Sequence, residues 1–461
     1  MILRLAVRSL ATRPVRTAVL ACGFGFGIAV MAALLGVGAV ILEQAHSPAL
    51  AGGGDLVVLG RFGAVDSARS VMTSVLGAPD LGRRTVAVSP WKNATLYLMT
   101  GATPIEVDAT GVIPSLERAV GGQEIAHLPE WIDAPADRAW SSPAPGDVLR
   151  AMDRFHPIPA TPEFSASWAE WLYFNGHTAD GTLRFYLTFF VGPAVKPGRR
   201  VAGVRLQLER DGRTATYSDG AEVDEARLLE TAPDLDIAGN RVRLDGLRYR
   251  VELALPGAAG ELALDAAPGR SLPPATLRGA RGWLSGYTAP VLSGTVRGSL
   301  TVGGDRLVFD DAAGYHDHNW GFWEGVRWQW GQVAHDDVSI IYGRVLPPAD
   351  VADHERIPGF LGVLGPEGSL GFSTTVSIED KRAADGRPDR VLVHARGRAL
   401  DLKLTFAVDR SVRTTMSITK TEAGPAMDFL QLAGEYAVTG KVGERSIDFT
   451  ARGSAETFRP R

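Results

Sequence analysis

From Trp168 to the C-terminus, apolar and polar residues alternate with a period of two. Leu247, Tyr249, Val251, Leu253 and Leu255 form one such run, and Leu400, Leu402, Leu404, Phe406 and Val408 form another. That spacing is the signature of half-buried strands, because successive side chains on a strand point to opposite faces. The chain's 53 glycines and 28 prolines fall largely between these runs. Gly303-Gly304-Asp305, between GSLTV and RLVF, has the chemistry of a tight hairpin turn. No helical run intervenes, so the pattern predicts a mainly β protein of antiparallel sheets closed into barrels or sandwiches. About 300 residues exceed one ordinary barrel, and the reading divides them into two in tandem. The first covers residues 165–346 and the second 347–461, with the boundary where VLPPAD breaks the alternation near Pro347.

Residues 43–164 read as a linker and small β region. Strand-like pieces at Leu56 to Leu59, Thr85 to Val88 and Thr95 to Met99 precede a Pro-rich stretch from Pro129 to Pro162. The latter is expected to lie over the surface, with Trp131 and Trp140 pinning it to a neighbouring domain.

The N-terminal segment is a separate physical signal. Residues 17–42 contain no charge and would span about 39 Å as a helix, more than the ~30 Å hydrocarbon core of a bilayer. Arg4, Arg8, Arg13 and Arg16 lie only on its N-terminal side. The positive-inside rule then keeps residues 1–16 in the cytoplasm and sends the bulk of the chain to the far side of the inner membrane. The expectation is an uncleaved single-pass anchor, because a signal peptide's apolar run is usually only ~7 to 15 residues.

The net charge is −4, from 48 basic and 52 acidic residues. With four arginines set apart at the N-terminus the remainder is more acidic still, which argues against a nucleic-acid partner. Cys22, the single cysteine, lies in the apolar segment, so no intramolecular disulfide can form.

Gly314 to Trp330, GYHDHNWGFWEGVRWQW, holds four of the ten tryptophans beside two histidines. Trp168 to His177 (WAEWLYFNGH) has the same mixture and is expected to meet it in space. On an extended chain Tyr315, Asp317 and Asn319 share one face, and His316, His318 and Trp320 the other. By the same alternation Trp171, Tyr173, Asn175 and His177 share a face, as do Trp328 and Trp330. A face of Trp, Tyr, Asn and His suits the wall of a ligand cavity in a barrel mouth. Poor solvation of Asp317 would raise its pKa and let it act as a proton donor, with Tyr315 as partner and aromatic faces stabilising a cation. The alternative is structural, with Asp317 bonding backbone amides and the tryptophans filling a β core.

His316 and His318 form an HxH pair, for which His335, Asp336, His177 or Glu324 are conceivable further ligands. No spacing fixes a third ligand, and the reading assigns no metal and no cofactor. A GxSxG elbow and a GxxxxGK[ST] loop are both absent from the sequence.

EWLYFNGH, the FYLTFF after it and above all GYHDHNWG resemble the hydroxyneurosporene synthase or carotenoid 1,2-hydratase family and its AttH-like relatives, over about residues 165–461. The resemblance implies two lipocalin-like barrels, some members acting on long isoprenoids. It also implies that Tyr315 and Asp317 match a Tyr-x-Asp pair whose acid protonates a terminal double bond. The hydratases use a histidine upstream, whereas the corresponding WLSGYTAP, Trp283 to Pro290, has none. The first sixty residues resemble the first transmembrane helix of macrolide-exporter and lipoprotein-release type ABC permeases. Two functions follow as expectations: a membrane-tethered hydratase or cyclase taking an apolar isoprenoid or lipid, or a non-enzymatic carrier serving an ABC permease and its ATPase.

Overall fold

The computed structural model describes residue 15 and residues 56–59, 68–77, 82–100, 103–122, 128–161, 163–267, 270–354, 357–366, 368–384, 386–397, 399–416 and 427–460. The anchor expected at residues 17–42 lies outside them. Among the described residues no helix is long and apolar enough to cross a membrane.

The chain forms two compact units, Met1–Val65 with Thr85–Ala139, and Asp66–Arg84 with Trp140–Arg461. In the first, strands β1 (Trp91–Thr100) and β2 (Thr103–Val112) pair as an antiparallel hairpin. The pieces at Leu56 to Leu59 and Thr85 to Val88, read as strands from sequence, are not strands. A short helix at Pro114–Ala119 follows, and Glu117 on it accepts a hydrogen bond from Ser89 Oγ at 2.8 Å.

The second unit is two antiparallel sheets, each curled until its edges come together. The first takes β3 (Trp168–His177), β4 (Leu183–Lys196), β5 (Arg199–Arg210), β6 (Arg213–Asp224), β7 (Leu235–Ile237), β8 (Asn240–Asp245), β9 (Arg248–Leu255), β10 (Ala258–Ala266), β11 (Leu272–Arg278), β12 (Leu284–Val302) and β13 (Asp305–Phe322). Its order is β6-β5-β4-β3-β13-β12-β10-β9-β8-β7, with β11 also on β12. The first and last strands pair, and the edge strands β6 and β7 lie alongside each other. The turn from Val302 to Asp305 uses Gly303 at φ 58° and Gly304 at φ 92°, the left-handed pair that a two-residue hairpin needs.

The second sheet takes β14 (Arg327–His335), β15 (Val338–Leu346), β16 (Phe360–Gly365), β17 (Gly368–Ser373), β18 (Thr375–Arg382), β19 (Pro388–Gly397), β20 (Leu400–Met416), β21 (Met427–Val442) and β22 (Arg445–Pro460). Its order is β17-β16-β15-β14-β22-β21-β20-β19-β18. The sheet changes between Phe322 and Arg327, not near Pro347 as the sequence suggested. β14 and β15 read as continuing the first barrel, yet they pair with β22 and β16.

Each barrel has its own apolar filling. Leu172, Phe174, Leu187, Phe189 and Tyr249 belong to the first, and Leu402, Leu404, Phe406, Leu432 and Tyr436 to the second. A third cluster draws on both sheets, joining Tyr173, Tyr186 and Tyr315 of the first to Trp330, Ile341 and Leu364 of the second. It is the seam where the barrels meet.

The Pro-rich stretch is not a surface strap. It forms a helix, α1 (Pro145–Met152), whose Leu149 is buried in the first barrel's core along with Phe155. Asp153, just beyond the helix, is fully buried. Trp131 is exposed, and Trp140 has the Arg69 guanidinium 4.8 Å over its ring.

Candidate functional site

The two stretches singled out from sequence are neighbours. β13 lies antiparallel to β3 with His316 opposite Phe174, Asp317 opposite Tyr173 and His318 opposite Leu172. Leu172 and Phe174 face the first barrel's core, and His316 and His318 point inward beside them. Tyr315, Asp317 and Asn319 therefore point outward with Tyr173 and Asn175, towards the second barrel. The wall read as a barrel mouth is instead the seam between barrels. Inside the first barrel, a void lined by Phe174, Phe185, Leu187 and Val251 among others is only ≈ 10 Å³, no more than one water could fill.

At the seam a hydrogen-bonded chain runs across the two sheets. Trp330 Nε1 donates to Tyr287 Oη at 3.0 Å, and Tyr287 Oη meets Tyr315 Oη at 2.6 Å. Tyr315 Oη donates to Asp317 Oδ2 at 2.9 Å, and Asn319 Nδ2 donates to Asp317 Oδ1 at 2.8 Å. Burial, reinforced by the charge of Glu456, holds the Asp317 carboxyl well above the usual carboxylate range despite those two donors. Burial also pushes Tyr315, Tyr287 and Tyr173 well above the ordinary phenol value, so each keeps its proton.

Glu456, on β22 opposite Trp330 and Gln431, was not picked out from the sequence. Its carboxyl lies among Tyr173, Gln431 and Trp328, and burial raises its pKa to about 7. Tyr287 was also missed. Glu456 carried one usable sign: it stands on an alternating strand next to Ala455, a core residue of the second barrel, and so occupies an outward position that only a covering partner would bury.

The remaining candidates divide. Trp171 packs at 4.7 Å from Trp323 and 6.3 Å from Trp328, and Trp328 stacks on Phe458 at 4.1 Å. These rings close one end of the seam. His177 lies four residues from Tyr173 along β3, about 13 Å for an extended chain. It is bonded through Nδ1 to its neighbour's Thr178 carbonyl, and burial beside Arg184 lowers its pKa to about 4. It takes no part in the Asp317 cluster.

On the inner face the two histidines hold a different network. Asp153 Oδ2 meets His316 Nε2 and Oδ1 meets His318 Nδ1, both at 2.9 Å. His318 Nε2 meets Glu170 Oε1 at 2.9 Å, and His156 Nδ1 meets the same oxygen at 2.7 Å. Burial opposes charge on Asp153 and Glu170, but the histidines outweigh it and hold both carboxyls below their usual range. Burial likewise opposes charge on His318, yet the two carboxylates raise its pKa to about 9. Trp320 stacks on His156 at 4.3 Å. Its ring lies flat on Gly286, where a Cβ would come within 2.0 Å of it.

The HxH pair thus faces Asp153 and Glu170 rather than His335, Asp336, His177 or Glu324. Ligand atoms of His156, Glu170 and His318 come within 4.8 Å of one another. Each of these atoms already shares a proton in a hydrogen bond, which a metal would have to displace. The inner network therefore reads as a clamp fixing the α1 segment to β3 and β13.

No family model matches the sequence, and no curated protein matches it. Among solved structures the chain aligns with an AttH candidate from Nitrosomonas europaea at 16% identity and TM-score 0.43, covering 66% of this chain and 99% of that one. It aligns with kievitone hydratase from Nectria haematococca at 15% identity and TM-score 0.42, covering 66% and 93%. With CghA the identity is 14% and the TM-score 0.44, covering 67% and 94%.

Proposed function

We propose that this chain is a lipocalin-like, hydratase-type enzyme in which Asp317 protonates a carbon–carbon double bond held between the barrels. The supporting observation is a buried carboxyl whose pKa is pushed well above the usual carboxylate range by burial while its two oxygens face Tyr315 and Asn319 donors. Those donors favour the carboxylate that appears once the proton has left, which is where stabilisation accelerates a reaction.

The π pair of the alkene takes the Asp317 proton, forming a C–H bond and leaving a cation on the adjacent carbon. The Tyr315 and Trp330 rings, with centroids 5.1 Å apart, present π faces to that cation. Water adds to it and returns a proton to the Asp317 carboxylate, so one water is consumed and the acid is regenerated.

The uncharged run at residues 17–42 supports a membrane tether, with the site outside the cytoplasm and a largely apolar isoprenoid or lipid drawn from the bilayer. The permease-like wording of the first sixty residues favours a second reading, a carrier that receives its ligand from an ABC exporter and uses the same seam without proton transfer.

The two readings separate on Asp317→Asn. Full-length protein in mild detergent is incubated with acyclic polyenes and prenyl alcohols in ¹⁸O-water, with binding followed by tryptophan fluorescence. As an enzyme, the wild type forms ¹⁸O-labelled alcohol and the variant loses about 100-fold or more of that rate while still binding. Binding with no labelled product from any substrate would leave the carrier.

A further inference from the structure

The seam buries polar atoms that make no well-formed hydrogen bond within the chain. Among the described residues, Asn175 Nδ2, Tyr186 Oη and Gln207 Nε2 of the first barrel find no hydrogen-bond partner, nor do Gln431 Oε1 and Glu456 Oε1 of the second. Folded proteins leave few such atoms, and each one asks for an explanation.

Their positions are related. Tyr315, Asn175, Tyr186 and Gln207 form one row across β13, β3, β4 and β5, each opposite the next. Gln431 and Glu456 stand opposite each other on β21 and β22. The charge of Glu456 is felt by both Tyr173 and Tyr186, which places the two sets within electrostatic reach across the seam. Asp317 lies one i, i+2 step along β13 from this row, roughly 7 Å.

We infer that the molecule held at this seam is not a bare hydrocarbon: it carries oxygen within about 7 Å of its reacting double bond, gripped by Tyr186 and Asn175 on one side and by Glu456 and Gln431 on the other. The inference rests on the seam being the ligand site, as proposed above, and deepens that reading. The first barrel's free atoms are amide N–H groups and a phenol, which suit a ligand oxygen as acceptor. The second barrel's are a carboxyl and an amide oxygen, which suit a ligand O–H as donor. A hydroxyl, phenol or enol supplies both at once. Ser454 lies near the Tyr186 hydroxyl, and Tyr173, Gln431 and Trp328 lie near the Glu456 carboxyl, so a ligand oxygen would compete with these neighbours for the two groups.

Tyr186→Phe gives the test an unusual sign. Removing a buried hydroxyl that makes no well-formed hydrogen bond, with only Ser454 close to it, is expected to leave the empty protein about as stable as before, since the cost of burying it goes too. The same change removes a hydrogen bond to the ligand.

The probes are geranylgeraniol and the C20 hydrocarbon of the same skeleton, titrated against full-length protein by tryptophan fluorescence. The alcohol is expected to bind about tenfold more tightly, and Tyr186→Phe and Glu456→Gln each to erase most of that preference. Urea unfolding of Tyr186→Phe checks that its midpoint has not fallen. Equal affinity for the two probes, tighter binding of the hydrocarbon, binding of neither, or a preference untouched by both variants overturns the inference. Its failure is distinct from failure of the hydratase reading. Asp317→Asn keeps the alcohol preference whether or not the wild type turns over, and turnover of the hydrocarbon without a preference sinks this inference alone.

Discussion

Asp317 and Glu456 together set the protonation of the seam. Glu456, with a pKa near 7, ionises first as pH rises, and its charge then holds the Asp317 proton more tightly. In the proposed reaction, donation to an alkene becomes harder at that point. The kcat/KM profile is therefore expected to break downward near pH 7, and in Glu456→Gln the break should vanish. A profile whose break survives that substitution would assign it to another group. The stability effect has the matching sign. Because the folded pKa is raised from 4.5, the Glu456 contribution is complete below that value and lost as pH climbs to about 7. Urea midpoints of Glu456→Gln should lack that decline. The sequence displayed Asp317 because it stands in a dense motif with Tyr315 and Asn319. Glu456 and Tyr287 sit in unremarkable strands, and nothing local states that their outward faces are covered by another barrel.

At the scale of elements, β3, β13 and the segment after α1 are tied by one buried ion network. Asp153 satisfies both His316 and His318, and all three side chains are fully buried. Taking away the carboxylate leaves His316 Nε2 without its partner and His318 with Glu170 alone, and Asp153→Ala is expected to cost about 3–5 kcal/mol in urea unfolding. The contribution of His318 is present in full below its ordinary value of 6.5 and lost as pH rises through about 9. Unfolding midpoints should thus fall between those values in the wild type and stay flatter in His318→Gln. Strand alternation separated the two faces of GYHDHNW from sequence alone, since a period of two needs no tertiary information. It could not identify Asp153. That residue sits in a stretch whose prolines signal irregular backbone, and prolines do not distinguish a strap on the surface from a segment threaded into a core. Met152, Phe155 and His156 flanking it were the available hint.

The architecture of the whole molecule turns on how two barrels dock. The VLPPAD break near Pro347 is a real turn, but it joins two strands of one sheet, β15 and β16. Turns within and between barrels use the same residues, and only the pairing of Trp328–Val333 with Gly453–Phe458, more than a hundred residues apart, divides the sheets. The docking itself depends on three arginines that cross the seam. Buried Arg184 on β4 donates to Ser454 Oγ at 2.7 Å, Arg205 on β5 to Thr414 Oγ1 at 3.0 Å, and Arg410 on β20 to Glu209 Oε2 at 3.4 Å. Arg184 also stands opposite Glu209 in the β4–β5 ladder and helps to offset the burial of that carboxyl.

Arg184→Met keeps most of the side chain's bulk and removes both roles, so it should weaken docking by about 3 kcal/mol while sparing each barrel's own core. Trp328 and Trp330 report on the seam, whereas far-ultraviolet circular dichroism reports on all strands. In the wild type the two signals are expected to fall together in urea, as one cooperative transition. In Arg184→Met the fluorescence transition should come first, and affinity for the seam ligand should drop with it, because Asp317 and Tyr186 belong to one barrel and Glu456 to the other. If both signals shift together instead, the arginine stabilises the fold at large, and docking is held by the apolar cluster of Tyr173, Tyr315, Trp330 and Ile341.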